Sequence, residues 1–201
     1  MKRLLMIGLV LALVAVLAGV VLRVSSGSGG VRVPDWYART TYPLEYASAI
    51  RASARRNGLD PALVAAVIYS ESRFDAQARS SHGAVGLMQL LPETAAQIAR
   101  ETGGVAFVPA DLEDPRVNIR YGCYYLRTVL DLFGGDRVAA IAAYNAGAGA
   151  VGEWEAAARA AGHPLRVADI PYAETRAYVT SVLEARKVYR QTYGGRLPRA
   201  S

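Results

Sequence analysis

The amino-acid sequence predicts a compact all-α domain with short connections between its helices. Three observations indicate this fold class. From Tyr42 onward apolar residues recur at helical spacing, and no segment shows the strict alternation of a half-buried strand. Asp-Pro pairs, which are typical of helix starts, occur at Asp60-Pro61 and at Asp114-Pro115. The composition beyond the N-terminus is rich in Ala, the residue with the highest helix propensity.

The first 24 residues predict a transmembrane helix ahead of this domain. Lys2 and Arg3 are followed by apolar or Gly residues from 4 to 22, enough for a helix to cross the hydrocarbon core of a bilayer. The positive-inside rule then places the rest of the chain on the extracytoplasmic side. A cleaved signal peptide is the alternative, because residues 24–26 offer small side chains to a peptidase. Residues 25–41, which begin with a Ser- and Gly-rich run, are interpreted as a linker.

Two helices are predicted at the start of the domain, which is expected to span residues 42–193. The apolar face of the first helix comprises Leu44, Ala47, Ile50 and Ala54. This helix is expected to stop at Asn57-Gly58. The second helix begins with Asp60 as its cap and Pro61 at its first position. Its apolar face comprises Leu63, Val64, Val67 and Ile68.

Four further helices follow before the tail at residues 194–201. Their starts are indicated by Pro92, Asp114-Pro115, Asp136 and Pro171. Gly134-Gly135 is expected to end the long helix that runs through Tyr121, Tyr125, Val129 and Leu132. The last helix is predicted to run through Tyr178, Val182, Ala185 and Tyr189. These helices together predict one compact all-α domain without a sheet.

Charge and cysteine content limit the function classes. Lys and Arg total 23 against 17 Asp and Glu, and half of the resulting +6 comes from the ends of the apolar N-terminal segment. No basic run is interleaved with aromatic residues, so nucleic acid is not an expected partner. The single cysteine, Cys123, lies in an apolar stretch and is interpreted as a buried small hydrophobe. His82 and His163 lack metal-ligand spacing, so no metal site is predicted.

Glu71 interrupts the apolar face of the second predicted helix. It lies three residues after Ile68 and four after Val67, and such positions share a helix face. It also lies near the helix end, where the dipole disfavours a second negative charge. Burial and the dipole both favour the protonated carboxyl, which a general acid needs near neutral pH. The structural alternative is a solvated carboxylate, or one paired with Arg73.

Two later segments combine glycine with polar or aromatic side chains. The first, Gly83–Gln89, reads Gly-Ala-Val-Gly-Leu-Met-Gln, and its glycines permit positive φ and close approach of a ligand to the backbone. The second, Ala143–Gly147, reads Ala-Tyr-Asn-Ala-Gly and lies at a predicted helix end. Aromatic faces, amides and exposed backbone groups are a common combination for gripping sugars. A core Tyr and an ordinary helix stop would explain the second segment equally well.

Four motifs in this order resemble the lytic transglycosylase family, whose soluble transglycosylase domain has a fold similar to goose-type lysozyme. The matching stretches are Glu71–Phe74, Gly83–Gln89, Ala143–Gly147 and Ile170–Val179. The resemblance extends over roughly residues 42–193. It implies a compact lysozyme-like domain that acts on peptidoglycan glycan strands without a metal or organic cofactor.

The resemblance also implies roles for individual residues. Glu71 would be the catalytic acid, and Tyr178 would lie near it and orient either Glu71 or the substrate. The residues expected to line the sugar groove are Ser80, Met88, Gln89, Tyr144, Asn145 and Glu174. His82 occupies a place where some members carry a second polar groove residue.

The lack of an early second acid favours one branch of this resemblance. Goose-type lysozymes have an Asp soon after the Gly-Leu-Met-Gln motif, whereas here Leu90 and Leu91 follow and the next acid is Glu93. The expected reaction is therefore cleavage between N-acetylmuramic acid and N-acetylglucosamine that leaves a 1,6-anhydro ring, with Glu71 as acid and then as base. The alternatives are a hydrolytic, lysozyme-like muramidase and a non-catalytic wall-binding domain.

Overall fold

The computed structural model describes residues 34–104 and 106–198. The chain divides into two compact units, residues 1–37 and 38–201. In the first unit only residues 34–37 are described. The predicted anchor at residues 1–24 therefore lies outside the described residues. Within the described ranges, no helix has both the length and the apolar character needed to cross a membrane.

Eight α-helices form the described part of the chain, together with two short 3₁₀ turns at Pro109–Glu113 and Val167–Asp169. In chain order the helices are α1 (Asp35–Thr41), α2 (Ala47–Arg56), α3 (Pro61–Ser72), α4 (Pro92–Thr102), α5 (Pro115–Leu132), α6 (Arg137–Ala146), α7 (Ala148–Ala160) and α8 (Ala173–Tyr193). The residues described form no strand; their only extended pairing is two isolated bridges, at Arg79–Val85 and Val85–Leu90. The predicted all-α class is confirmed.

The predicted helix starts at aspartates are confirmed. The Asp60 carboxylate accepts a hydrogen bond from the Ala62 amide at 3.1 Å, and Pro61 occupies the first helical position. Asp114 and Asp136 each accept from two amide groups of the following turn. These side chains satisfy amide donors that a helix start otherwise leaves without partners.

The structure differs from the sequence prediction at three places. The first predicted helix begins at Ala47, because Tyr46 adopts a left-handed φ of 48°, so Leu44 lies outside the helix. Leu132 is the last residue of α5 and is 63 % exposed, so it does not extend that helix's buried face. Helix α7 was not predicted, because its sequence contains two glycines and buries only Val151 and Ala158.

Helix α3 lies at the centre of the domain. All residues from Pro61 to Tyr69 are buried, as expected of a helix that is apolar on every side. It packs chiefly against α8 and also against α2. Glu71 lies in the last turn, where this central helix emerges from the core. Cys123 is fully buried, as predicted.

The ordered chain extends beyond the predicted domain limits at both ends. Within the segment interpreted as a linker, Asp35–Thr41 forms a helix, and Ala38 is buried. In the segment interpreted as a tail, Leu197 is buried in the core, and the Arg51 guanidinium donates to the Arg196 carbonyl at 2.9 Å. Pairing and burial of this kind indicate that residues on both sides of 42–193 belong to the folded unit.

Candidate active site

A groove of about 540 Å³ crosses the end of α3. The loop between α3 and α4 forms one side, and α4, α5, the end of α6 and the start of α8 contribute the other residues. The predicted site residues that line it are Glu71, Ser80, Gln89, Tyr144, Asn145 and Glu174. Positions more than 100 residues apart in the sequence therefore meet at one cavity.

Glu71 is half-buried and lines this groove. The Tyr178 hydroxyl donates a hydrogen bond to its Oε1 at 2.5 Å. Burial of the carboxyl raises the pKa of Glu71 from 4.5 to about 7, and the hydrogen bond from Tyr178 offsets part of that rise. A carboxyl with this pKa exists in both protonation states near neutral pH, so it can give or take a proton there.

Tyr178 and Tyr144 are held as neutral donors beside Glu71. Burial, together with the negative charge of Glu71, raises the pKa of both phenols well above the usual value. The Tyr144 hydroxyl donates to the Met88 carbonyl at 2.9 Å, and its ring packs on Tyr125 with centroids 5.1 Å apart. Tyr144 thus ties α6 to the loop on the other side of the groove.

Asn118 of α5 anchors the loop between α3 and α4 through hydrogen bonds. It is fully buried in α5, and its Oδ1 accepts from the Met88 amide at 2.8 Å. Its Nδ2 donates to the Val85 carbonyl at 2.8 Å and to the Leu112 carbonyl at 2.9 Å. One side chain therefore bonds to three backbone groups, two in the loop and one in the 3₁₀ turn at Pro109–Glu113.

Gly86 is required for this arrangement. Its φ is 78°, and a Cβ added there would lie 2.4 Å from Asn118 Nδ2 and 2.6 Å from the Leu112 carbonyl oxygen. The positive φ that the motif's glycines permit is observed at Gly86, but the predicted approach of a ligand to its backbone is not what the glycine serves. The approaching groups are protein atoms, since Asn118 occupies the space.

The structure places the remaining predicted groove residues in different roles. Ser80 Oγ accepts hydrogen bonds from the amides of His82 and Ala84, which closes a tight turn at the groove edge. Gln89 adopts a φ of 47° and donates from Nε2 to the carbonyls of two loop residues at 3.1 and 2.8 Å. Asn145 is exposed, and its Oδ1 accepts from the Thr175 hydroxyl at 2.9 Å.

Met88 differs from the expectation that it lines the groove. Its side chain is fully buried and packs against Gly122 of α5, where an added Cβ would lie 2.3 Å from the sulfur. Only its backbone takes part in the site, through the bonds to Tyr144 and Asn118. The φ of Gln89 turns the chain so that the Gln89 side chain, and not that of Met88, faces the cavity.

Several groove residues were not predicted. Tyr125, Thr94 and Tyr172 all line the cavity. His82, whose place the resemblance associated with a second polar groove residue, also lines it. Of the three residues that were not predicted, only Tyr125 could have been predicted from the sequence. It follows the polar Asn118 by two helical turns and therefore lies on the same face of α5. Thr94 and Tyr172 lie at helix starts, where the spacing of apolar residues does not predict which way a side chain points.

Glu71→Gln is expected to stabilise the fold above neutral pH. Because the native pKa of about 7 exceeds the ordinary 4.5, the native state holds this proton more tightly than the unfolded chain. That contribution is complete below about pH 4.5 and is lost as the pH rises through about 7. The difference between the two values corresponds to about 3 kcal/mol. Because Gln does not titrate, the free energy of unfolding of the variant relative to wild type should increase by roughly that amount between about pH 4 and pH 8. Urea unfolding at the two pH values measures it. A difference in free energy of unfolding that does not vary with pH would contradict a buried carboxyl.

Comparison with known proteins places this geometry in a family. The relatives include the soluble lytic murein transglycosylase of Salmonella typhimurium, 35 % identical over 157 residues, which are 76 % of this chain and 24 % of that protein. The corresponding protein of Escherichia coli K12 is 34 % identical over the same length and shares. The chain therefore spans about a quarter of the length of these curated relatives.

Solved structures of lytic transglycosylases share the fold. An inactive Glu-to-Gln mutant of the lytic transglycosylase Slt from Pseudomonas aeruginosa aligns with a TM-score of 0.70 at 35 % identity, over 80 % of this chain and 26 % of that one. The 70 kDa soluble lytic transglycosylase from Escherichia coli aligns with a TM-score of 0.72 at 32 % identity, over 82 % and 27 %. The family described as Transglycosylase SLT domain matches residues 48–165, more than half of the chain. By fold and by sequence, this chain belongs to the transglycosylase SLT domain family.

Proposed function

We propose that this chain is a peptidoglycan lytic transglycosylase in which Glu71 is the general acid and base. The observation that supports it most directly is a carboxyl with a pKa of about 7 that lines a groove. Membership of the SLT family and the names of the relatives, soluble lytic murein transglycosylases, support the substrate. No metal or cofactor enters the proposed chemistry.

Glu71 acts first as an acid. In its protonated form it donates a proton to the oxygen that links N-acetylmuramic acid to N-acetylglucosamine, while the acetamido group of the substrate stabilises the positive charge at the anomeric carbon. The Tyr178 hydroxyl, 2.5 Å from Oε1, fixes the orientation of the carboxyl before and after transfer. The same bond lowers the pKa of Glu71, which keeps it from rising too far for proton donation.

Glu71 then acts as a base. As a carboxylate it removes the proton from the 6-hydroxyl of the same sugar, whose oxygen attacks the anomeric carbon and closes a 1,6-anhydro ring. The nucleophile is part of the substrate and has a high effective concentration, so no second carboxylate is needed to activate water. Glu174 is the other carboxyl of the groove, and it is exposed at the first turn of α8.

The remaining groove residues are proposed to bind the sugar chain. Gln89, Ser80 and Asn145 present amide and hydroxyl groups to it, and Glu174 accepts hydrogen bonds from sugar hydroxyls. Tyr144 offers an aromatic face next to Glu71. For Met88 the proposal is limited to its backbone, which holds Tyr144.

The rate of wall cleavage is expected to fall about tenfold per pH unit above about pH 7. The acid step needs the protonated carboxyl, and its pKa is about 7. Tyr178→Phe removes the bond that lowers this pKa, so the alkaline limb should move to higher pH. The release of soluble fragments from purified wall, followed across pH, measures both effects. Tyr125→Phe, which changes a groove tyrosine that has no bond to Glu71, is the matched control. An alkaline limb at the same pH in wild type and Tyr178→Phe would contradict this role for Tyr178.

For its cellular location we propose a membrane-tethered protein with the domain on the extracytoplasmic side. The proposal rests on the basic residues Lys2 and Arg3 ahead of the apolar run at residues 4–22. Residues 1–24 are the proposed anchor and 42–193 the catalytic domain. Determining the N-terminus of the protein recovered from membranes tests this, since a chain that begins after residue 24 would instead indicate an exported, cleaved form.

A further inference from the structure

A second cavity, of about 330 Å³, lies between α2 and α5. Two turns of α2, residues 48–53, supply small side chains to it. Arg56 from the end of α2 and two arginines from the start of α5, Arg116 and Arg120, complete the polar lining. None of the residues that line this cavity is acidic. It shares no lining residue with the groove at Glu71.

The three guanidinium groups lack partners that would neutralise them. Arg56, Arg116 and Arg120 make no ion pair with any described residue, whereas Arg79, Arg127 and Arg159 each pair with a carboxylate. Arg120 does contact the Tyr121 ring, with its guanidinium carbon 5.1 Å from the ring centroid.

The two acids closest in sequence are already engaged. Asp114 accepts from the backbone amides of Arg116 and Val117, and Glu113 pairs with Arg79. Three positive charges around one cavity repel each other, and a bound anion would relieve that repulsion.

Serine hydroxyls add donors at the base of this cavity. Ser53 is only 5 % exposed, yet its hydroxyl forms no hydrogen bond with any described residue. In the described chain, every side-chain N or O atom that is shielded from solvent has a hydrogen-bond partner. Because the Ser53 hydroxyl has no such partner, it must be accessible to solvent, and the cavity that Ser53 lines provides that access. Ser48 lies five residues earlier on α2 and also lines the cavity. Hydroxyls of this kind can donate to an oxyanion.

We propose that this cavity binds a phosphate group. Three guanidinium forks and two hydroxyls provide more donors than the two oxygens of a carboxylate can accept, and they match a tetrahedral anion with several oxygens. Ala49, Ala52 and Val117 provide apolar contacts for a small organic substituent on the phosphate. The shared chemistry is a phosphate ester, which either a soluble glycerol phosphate or a phospholipid headgroup would supply.

The test is phosphate-dependent thermal unfolding of the full chain. Inorganic phosphate is titrated at ionic strength held constant with chloride, and saturable binding should raise the unfolding temperature by about 3–6 °C at ten times Kd. The variant Arg116→Ala/Arg120→Ala should lose this shift. The matched control Arg55→Ala/Arg100→Ala removes the same charge from exposed positions on α2 and α4 outside the cavity and should retain it. All four arginines are exposed, so neither double variant is expected to unfold the protein.

Two further ligands identify the source of the phosphate. Glycerophosphoglycerol and dihexanoyl phosphatidylglycerol, both below micelle-forming concentrations, carry the same diester without and with acyl chains. Tighter binding of the acylated compound supports a lipid headgroup, and equal binding of the two compounds supports a soluble ester. In both cases the affinity for the bound compound must fall at least about tenfold in Arg116→Ala/Arg120→Ala. The proposal is overturned if phosphate gives no saturable shift beyond that of chloride, or if both double variants respond like wild type. Neither result bears on the reaction proposed at Glu71.

Discussion

Glu71→Gln should reduce cleavage of purified peptidoglycan by at least about a hundredfold and up to about ten-thousandfold, the range typical of losing a general acid. Gln has nearly the shape of Glu and can still accept the hydrogen bond from Tyr178, so the fold is expected to stay intact. Because one carboxyl serves both proton transfers in the proposed reaction, no other group in the groove can restore either step. The release of soluble fragments, with circular dichroism as the check on folding, measures this loss.

Glu174→Gln is the matched variant for that experiment. It makes the same chemical change in the same groove, but the carboxyl is exposed and the variant is expected to cost no more than about tenfold. A large loss of activity in Glu71→Gln with a small loss in Glu174→Gln supports a single acid and base. Equal and complete loss in both variants would point to a pair of carboxylates, as hydrolytic glycosidases use, and would contradict a single acid and base.

Asn118→Ala is expected to lower the free energy of unfolding by about 3–5 kcal/mol. The substitution leaves the Met88 amide and the Leu112 carbonyl buried without this partner, while the Val85 carbonyl keeps its bond from the Leu90 amide at 3.1 Å. Each unsatisfied buried group costs about 1–3 kcal/mol, and the space left by the side chain adds to this. A loss of this size is a large fraction of the stability of a typical domain. Urea unfolding monitored by circular dichroism measures it.

The matched control for Asn118 is Asn57→Ala. Asn57 donates one hydrogen bond to the Ser53 carbonyl at the end of α2, where neighbouring water can replace it. It should cost no more than about 1 kcal/mol. Asn118→Ala should also lower cleavage activity at temperatures where it stays folded, because the loop that carries Gln89 loses its support. Similar losses of stability in the two variants would contradict a special role for the buried amide.

The helices were predictable because their start signals are local. A capping aspartate followed by proline or by a good helix former acts within one turn, so Asp60, Asp114 and Asp136 could be interpreted without tertiary information. Helix α7 lacked such a signal, since it follows Gly147 directly and has few buried residues. Its position depends on packing against α6, which no local pattern encodes.

The candidate site was predictable where a residue disagreed with its surroundings. Glu71 is predictable because a carboxylate interrupts an apolar face, whereas Asn118, which shows the same disagreement on α5, was not predicted. Met88 could not be placed correctly, because its direction depends on the positive φ of Gln89 and on the space above Gly122. The distance between Tyr178 and Glu71 likewise follows from the packing of α8 on α3.

The muropeptides released from purified wall test the central proposal most directly. Mass spectrometry distinguishes a 1,6-anhydro end from a reducing end, because the anhydro product is lighter by one water. If Glu71 acts as acid and then as base on the 6-hydroxyl of the substrate, the wild-type chain should release anhydro-ended fragments. Fragments that carry only reducing ends would show that water is the nucleophile and would contradict the proposed reaction.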